Sequence, residues 1–406
     1  MSTTTDSQFI NRTSQILSHL KETGQLKALQ CIESPMGPTI SIRDRGEVDC
    51  FCSNNYLGLA NHPDVVEAGV EGLRRYGAGT ASVRFICGTF EPHEQLEERI
   101  ATFLGVESSY TFVSCWNATE ALFPTICEDG DVIVSDELNH ACIIDSMRLT
   151  TAIHRGVKKC IYKHSDMNSL REKLKVASEH RAESGSIFVI TDGVFSMEGD
   201  IADLPAIRAL CDEFGAMLVV DDSHGTGVMG TTGRGTHEHY GISGNDIDIF
   251  TGTLGKALGG GAGGYIAGKK ELIELIIQRG RPTLFSNALP VTVACSAKAA
   301  IDVLDEDSSI VDKLRANVEA ARKGISEVGF EVLESPTAIC PIIVGETSTA
   351  ISMSNKLLDM GCFAIGFGYP VVPEGEARIR VQISAAHDES HINRLCEALA
   401  KLKSDL

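Results

Sequence analysis

Runs of apolar residues recur through the middle of the chain, and stretches with helical spacing separate them. Four runs are typical of buried strands, because each is mostly apolar and bounded by charged or turn-forming residues: 131–135, 186–191, 215–220 and 248–251. By contrast, Leu96, Ile100 and Phe103 share one helical face. Strands that alternate with helices favour a mainly parallel sheet, so the pattern predicts an α/β fold.

The pattern changes towards both ends of the chain. Near the N-terminus, Ile16, Leu17 and Leu20 have helical spacing. Beyond residue 290, two helical stretches, short strands expected at 330–333, 341–344 and 378–383, and a last helix follow. These changes predict a helical N-terminal arm over 1–50, a large lobe over 51–290 and a small α+β lobe over 291–406.

The composition is typical of a soluble enzyme. A formal net charge of −19 disfavours nucleic acid or an anionic membrane as partner. Thirteen cysteines, an odd number without regular spacing, favour reduced thiols. The first residues lack the basic and apolar regions of a secretory signal, and no apolar run reaches the roughly 18 residues of a membrane helix. We therefore expect a cytoplasmic protein with no nucleic-acid or membrane partner.

Polar side chains follow three of the predicted strands. Lys256 enters a glycine-rich turn after the last of them, Asp221 follows the third and Ser196 lies beyond the second. Ligands bind outside the carboxyl ends of parallel strands, so these groups should lie near one another. A buried lysine amine loses its proton readily and can form a Schiff base with an aldehyde. Pyridoxal phosphate is such an aldehyde, and its ring nitrogen needs an acid, for which Asp221 is the first choice and Asp222 the alternative.

Other patterns are rejected as ligand sites. Residues 225–230 fit G-x-G-x-x-G, but no apolar helical period follows, so they do not predict a dinucleotide site. The glycine tract at 259–264 lacks the Gly-Lys-Ser/Thr ending of a phosphate loop. The His-Glu-His run at 237–239 and the Cys-Phe-Cys run at 50–52 lack a second ligand pair at a usual spacing, so no metal site is predicted.

Several specific segments match one known family: 51–63, 81–89, 221–224, 251–260 and 281–287. They resemble the α-oxoamine synthases, which are fold-type I pyridoxal-phosphate (PLP)-dependent transferases that join an amino acid to an acyl-CoA. Within that family, 82–87 (Ser-Val-Arg-Phe-Ile-Cys) and 377–387 are most similar to the members that use glycine and acetyl-CoA. The resemblance implies a large lobe with a seven-stranded type of sheet, pyridoxal 5′-phosphate as cofactor, and a homodimer with shared active sites.

The resemblance also implies roles for the residues around the cofactor ring. Lys256 would form the Schiff base and later move the Cα proton, while Asp221 would pair with the ring nitrogen. Ser196 and His224 would bond the phenolic oxygen. His140 would stack on the ring face.

Further positions are implied to bind the phosphate: Cys115, Trp116, Thr253, Ser286 and Asn287. The first two would use backbone amides at a helix start, where free N–H groups and the helix dipole attract an anion. Ser286 and Asn287 would reach the phosphate from the second subunit.

For the substrate, Arg380 would clamp the carboxylate by a two-pronged bond that lysine cannot copy, and Asn55 lies in the matching loop. The helix start departs from the family pattern, with Trp116 in place of phenylalanine and changes at 117–121. Another amino acid or acyl thioester therefore stays open, as do an aminotransferase and an aldolase. A cofactor-binding regulatory subunit is the non-catalytic alternative, although such a subunit would usually have lost Lys256.

Coenzyme A is an anion, and the overall charge of this chain repels anions. The acyl-CoA prediction therefore requires a local basic patch. The candidates are Arg75, Arg84, Arg279 and Arg281.

Overall fold

The computed structural model describes residues 4–404. Its strands are β1 (Thr39–Ile42), β2 (Gly46–Cys50), β3 (Ser108–Phe112), β4 (Val132–Asp136), β5 (Lys158–Tyr162), β6 (Ile187–Asp192), β7 (Met217–Asp221), β8 (Ile249–Thr253), β9 (Gly264–Gly268), β10 (Ile339–Gly345), β11 (Cys362–Phe363), β12 (Ile365–Phe367) and β13 (Ala377–Gln382). Its α-helices are α1 (Thr4–Glu22), α2 (Pro63–Tyr76), α3 (Arg84–Cys87), α4 (Glu91–Leu104), α5 (Cys115–Ile126), α6 (Ala141–Ile153), α7 (Met167–His180), α8 (Leu204–Phe214), α9 (Thr236–His239), α10 (Lys270–Arg279), α11 (Arg281–Phe285), α12 (Val291–Glu306), α13 (Ser309–Glu327), α14 (Thr347–Asp359) and α15 (Glu389–Ser404).

The central sheet has seven strands in the order β3-β9-β8-β7-β6-β4-β5. The strands from β8 to β5 in that order are parallel, and β9 is antiparallel to both β8 and β3. Successive residues of β7, Val219 and Val220, enter different hydrophobic clusters, as do Val189 and Ile190 of β6. Both faces of the sheet are therefore buried, which explains why these strands are apolar throughout. The predicted α/β class with a mainly parallel sheet is confirmed.

Two smaller sheets complete the fold. The antiparallel sheet β10-β13-β12 belongs to the small C-terminal α+β part that the sequence predicted. The other sheet joins the hairpin β1-β2 to β11, which runs parallel to β2. The predicted N-terminal helix is present as α1, but 39–50 form strands rather than a helical arm. Since α12 packs against α2 and α4 of the large lobe, the division at residue 290 stays a prediction.

The strand predicted at 330–333 is wrong. Only Val332 makes an isolated bridge there, to Ile342. Two backbone hydrogen bonds to β10 flank this bridge, from Leu333 N to Pro341 O at 3.4 Å and from Ile343 N to Glu331 O at 3.3 Å. The carbonyl of Leu333 accepts from the guanidinium of Arg322, so the pairing does not extend into a strand. Among residues 4–404, no helix is long and apolar enough to cross a membrane.

The carboxyl ends of β6, β7 and β8 meet at one edge of the central sheet. The register pairs Asp192 with Asp221, and Asp221 with Thr251. Lys256 follows just beyond β8. Neighbouring strand ends thus deliver two acids, a hydroxyl and an amine to the same place, as parallel pairing requires.

Candidate active site

Lys256 lies in a charged and buried environment. Its electrostatic neighbours are Asp221, Cys115, Asp192 and Arg380. Burial lowers the pKa of Lys256, the Arg380 cation lowers it further, and Asp221 gives the largest opposing effect. A lowered pKa leaves more of the amine neutral, and the neutral amine is the form that attacks an aldehyde. The structure therefore brings together the predicted Schiff-base lysine and the predicted acid.

Three donors fix the carboxylate of Asp221, which is only 4% exposed. Oδ2 accepts from Thr251 Oγ1 at 2.8 Å and from Cys115 Sγ at 3.5 Å. Oδ1 accepts from Ser223 N at 3.1 Å. A carboxylate held in this way can accept a ring N–H without rearranging. Sequence reasoning gave Thr251 no role, because its partnership with Asp221 depends on the strand order.

Asp222, the alternative acid, has a structural role. It is fully buried and accepts from Thr226 Oγ1 at 3.0 Å and from Thr236 N at 3.0 Å. Burial raises the pKa of Asp222 to about 6, and the bonds from Thr236 and Thr226 partly offset that effect. Asp222 therefore ties two loops together behind the site, whereas Asp221 is the acid beside Lys256.

His224 is buried against Tyr56, with the Tyr56 hydroxyl 2.8 Å from His224 Nδ1. Burial lowers the pKa of His224 well below its usual range, and the Lys256 and Arg380 cations lower it further. The imidazole is consequently neutral, and Nε2 is the nitrogen left for a ligand. Sequence reasoning did not find Tyr56, which lies inside a matched segment but 168 residues away from His224.

His140 caps α6 and is exposed. Its Nδ1 accepts from Cys142 N at 3.3 Å, and its own N–H donates to Asp192 Oδ2 at 3.1 Å. The edge of the ring contacts Trp116, with centroids 6.2 Å apart and planes at 79°. Desolvation by the surrounding atoms lowers the pKa of His140, and Lys256 adds to that effect, so the ring is neutral as a stacking group.

Asp192 is a site residue that sequence reasoning missed. Its Oδ1 is buried and has no hydrogen-bond partner within the described part of the chain. Burial raises the pKa of Asp192 well above its usual range, and the neighbouring Asp221 raises it further. A neutral carboxyl with one unused oxygen beside Lys256 is suited to a polar ligand group.

The start of α5 forms an anion-binding position. Ser114 is the N-cap, and its Oγ accepts from Asn117 N at 3.1 Å. The amides of Cys115 and Trp116 precede the first intrahelical bonds and are left for an anion, as predicted. The residue that faces this helix start must be glycine, because a Cβ on Gly264 would lie 2.3 Å from Cys115 N. This close approach brings β9 against the helix start.

The remaining predicted phosphate ligands are Thr253, Ser286 and Asn287, and their side chains are less clearly available to an anion. Thr253 Oγ1 donates to Gly263 O at 3.2 Å and accepts from Gly255 N at 3.1 Å, so its hydroxyl already orders the turn that carries Lys256. Ser286 and Asn287 follow α11 and line a narrow cleft beside Arg84 and Asn117. Their role across a subunit contact stays a prediction.

Arg380, on β13, is held firmly at the site. Nη1 donates to Ser196 O at 2.9 Å, which also places the Ser196 loop. With its amide oriented towards the guanidinium, Gln382 Oε1 accepts from Nε at 3.0 Å and from Nη2 at 2.5 Å. The guanidinium carbon lies 4.9 Å from the Phe367 ring centre. Arg380 is therefore not a solvated rim residue, and it can present a fixed fork to a carboxylate.

Asn55 is also buried at this end of the site. Its Oδ1 accepts from Ala60 N at 3.1 Å, and its carbonyl accepts from Ser384 Oγ at 2.7 Å. The side-chain amide nitrogen is the group left to reach a substrate.

The arrangement fits pyridoxal 5′-phosphate. It offers a buried amine for the aldehyde, a fixed carboxylate for the ring nitrogen, a neutral imidazole for the phenolic oxygen and a helix start for the phosphate. The unused oxygen of Asp192 shows that a buried polar atom here awaits a partner.

Comparison with known proteins agrees with this geometry. The profile of the aminotransferase class I and II family matches residues 49–399. The chain is 43% identical to 2-amino-3-ketobutyrate coenzyme A ligase of Escherichia coli K12, over 98% of both chains. It is also 43% identical to 8-amino-7-oxononanoate synthase of Thermoanaerobacter pseudethanolicus, over 100% of this chain and 99% of that protein. A serine palmitoyltransferase structure from S. paucimobilis, with bound PLP and myriocin, has a TM-score of 0.89 at 26% identity over 98% of this chain and 99% of that one. The chain therefore belongs to the aminotransferase class I and II family and, within it, to the fold-type I α-oxoamine synthases that its motifs resemble.

Proposed function

We propose that this protein is a PLP-dependent C-acyltransferase that joins glycine and acetyl-CoA to give 2-amino-3-oxobutyrate and CoA, reversibly. One observation carries the proposal. Lys256, Asp221 and Arg380 meet at one site in a chain that is 43% identical over 98% of its length to an enzyme named for that product.

When bound, the cofactor supplies an aldehyde for Schiff-base chemistry and a ring that accepts electrons from the neighbouring substrate carbon. Lys256 anchors it and, as a neutral amine, takes the proton from the glycine Cα. Asp221 keeps the ring nitrogen protonated. Ser196 and His224 bind the phenolic oxygen, and His140 covers one ring face.

Arg380 orients glycine by its carboxylate. Because Gln382 and the Ser196 carbonyl fix the guanidinium, the Cα–H bond can be held towards Lys256. A carbon–carbon bond then forms between the glycine Cα and the acetyl carbonyl carbon, and the carbon–sulfur bond of the thioester breaks. The CoA thiolate leaves and takes up the proton that Lys256 removed.

A homodimer is part of the proposal. Phe85, Ile86 and Phe285 are 63%, 65% and 71% exposed, and they belong to the neighbouring helices α3 and α11. Exposed apolar side chains of this size favour a protein contact. Burying them against a second copy would carry Ser286 and Asn287 towards the partner's phosphate position. A cytoplasmic location stays a prediction.

The equal identity to an 8-amino-7-oxononanoate synthase favours one second candidate, an α-oxoamine synthase with another amino acid or a longer acyl thioester. A substrate panel separates the two. Purified protein loaded with PLP is assayed for CoA thiol release with glycine, alanine or serine against acetyl-CoA and longer acyl-CoA esters. The proposal expects the highest kcat/KM with glycine and acetyl-CoA. A higher value for alanine or serine with a long acyl-CoA would assign the second function.

A further inference from the structure

Trp116 is the only tryptophan of the chain and is held in place by its own helix. Its Nε1 donates to Glu120 Oε1 at 3.0 Å, one helical turn further on. The other oxygen, Glu120 Oε2, accepts from Asn117 Nδ2 at 3.3 Å. Residues four apart lie on one helix face, so Glu120 fixes the indole on the side of α5 that Asn117 also occupies.

The indole meets a second fixed ring. Its edge contact with His140 joins α5 to the start of α6. His140 is fastened at its main chain by Asp192 and at Nδ1 by the amide of Cys142. Trp116 is nevertheless 39% exposed, so the pair of rings lies at the surface of this chain rather than in its core.

We propose that Trp116, fixed by Glu120, is a specificity-determining residue that limits the length of the acyl group admitted beside His140. The inference rests on the proposed function, in which His140 covers the ring face and the thioester must approach Lys256 from solvent. Because the indole contacts the edge of the His140 ring, an acyl group that lay beside His140 on that side would meet it. The sequence pattern of the family has the smaller phenylalanine here, so this chain has filled space that a phenyl ring would leave free.

The expected change in kcat/KM follows from how strongly an apolar pocket distinguishes acyl chains of different length. In an apolar pocket, a single methylene changes kcat/KM by about tenfold or more. A longer acyl chain that collides with the indole should therefore be disfavoured, and removing the indole should relieve it.

The test compares acetyl-CoA with hexanoyl-CoA, using glycine and PLP-loaded protein. Trp116→Ala should raise the hexanoyl-to-acetyl ratio of kcat/KM by about tenfold or more, and Trp116→Phe by less. Glu120→Ala should raise it because the indole is no longer fixed, whereas Glu120→Gln keeps an acceptor for Nε1 and should stay near wild type. Glu172→Ala, an exposed change on α7, is the matched control.

A second readout needs no turnover. Because Trp116 is the only tryptophan, fluorescence excited beyond the absorption of tyrosine reports this position alone. In Glu120→Ala without cofactor, emission anisotropy should fall and acrylamide quenching should rise, while Glu120→Gln and Glu172→Ala stay near wild type.

If the hexanoyl-to-acetyl ratio of kcat/KM in both Trp116 variants stays within about a factor of two of the wild-type ratio, the inference is overturned. Unchanged fluorescence in Glu120→Ala would also overturn it, because the indole would not depend on that bond. If wild type uses a different amino acid and acyl-CoA, the proposed function fails. The role of Trp116 is then decided by the kcat/KM ratio of a longer to a shorter acyl-CoA, measured with that amino acid. No CoA release from any acyl-CoA would overturn both.

Discussion

Burial acts in opposite ways on the charged groups of this site. It lowers the pKa of Lys256 and raises that of Asp192, and both effects favour the neutral form. The Asp221 carboxylate, by contrast, accepts hydrogen bonds from Thr251, Ser223 and Cys115. The site thus holds one supported anion beside an amine that is easily neutralised, which is the electrostatic requirement for holding a cofactor and moving a proton.

Lys256→Ala should abolish cofactor attachment. With the amine gone, borohydride can no longer fix PLP to residue 256, and turnover should fall by about a hundredfold to ten-thousandfold because the proton carrier is lost. Mass spectrometry of the reduced protein checks the attachment, and circular dichroism checks the fold. Lys269→Ala, which removes an exposed lysine paired with Glu107, is the control. A stable adduct elsewhere in wild type would refute the assignment.

Asp221→Asn should bind PLP but turn over about ten to a hundred times more slowly, because an amide cannot hold the proton on the ring nitrogen as a carboxylate does. Absorbance titration gives the PLP affinity, and CoA release gives kcat. Asp222→Asn should instead lower the denaturation midpoint, since Asp222 joins the loops at Thr226 and Thr236. If Asp222→Asn were the slower variant, the two acids would have exchanged roles.

Single residues were predictable from sequence where they end a strand or lie in a specific motif. Lys256 and Asp221 do both, so their neighbourhood was foreseeable. Asp192 follows a predicted strand and Tyr56 lies in a matched segment, but their contacts depend on side-chain packing between distant segments. The pKa of a group such as Asp192 depends on burial, which sequence order does not give.

At the scale of elements, a partly buried ion cluster holds the loop that carries Ser196. His164 Nδ1 lies 3.0 Å from Asp136 at the end of β4, and Nε2 lies 2.8 Å from Asp200 at the end of the loop. Burial lowers the pKa of His164, but the bonds to Asp136 and Asp200 outweigh it and raise the pKa to about 10. Both ring nitrogens donate, so the cluster requires the imidazolium.

This cluster predicts a loss of stability at alkaline pH. The folded pKa of His164 lies above the ordinary value of 6.5, so its contribution is complete below pH 6.5 and is lost as the pH rises through about 10. Urea unfolding between pH 7 and pH 10 should show a steeper fall in the free energy of unfolding for wild type than for His164→Gln. His180→Gln, an exposed histidine on α7, should keep the wild-type slope. Equal slopes in wild type and His164→Gln would contradict the role of the cluster.

The hydrophobic pattern predicted some strands correctly and missed or misplaced others. Strands β6 and β7 were predictable because burial on both faces makes them apolar throughout. The hairpin β1-β2 was missed because it is short and is completed by β11, more than 300 residues away. The segment 330–333 has residue types typical of a strand and makes one bridge to β10, but the carbonyl of Leu333 accepts from the side chain of Arg322 and does not continue the pairing.

At the scale of the whole molecule, three of the four basic candidates for CoA are paired with carboxylates. Arg84 forms a two-pronged pair with Glu97, and Arg75 pairs with Glu91 at 3.1 Å. Arg279 is only 3.9 Å from Glu128, whereas Arg281 lies over the Phe285 ring at 5.0 Å. Of the four candidates, Arg281 is the one for which the described residues show no acidic partner, and it lies on the proposed subunit contact.

Shared sites can be tested by mixing subunits. Lys256→Ala protein is combined with the double variant Ser286→Ala, Asn287→Ala under conditions of subunit exchange. If each site uses residues of both chains, a hybrid has one site with all defects and one with none, so activity should return to about a quarter of wild type. No recovery despite proven exchange, or an active monomer in sedimentation, would exclude shared sites.

In the proposed reaction, acyl transfer to glycine keeps the carboxylate that Arg380 holds. Glycine labelled with carbon-13 in its carboxyl group is incubated with acetyl-CoA and the protein, and the product is reduced at once with borohydride to 2-amino-3-hydroxybutyrate. We predict one labelled product molecule for each CoA released, because the bond that breaks at Cα is the C–H bond. Labelled carbon dioxide released in step with CoA, and faster than 2-amino-3-oxobutyrate loses it in the absence of protein, would show a decarboxylating synthase and contradict the proposed function.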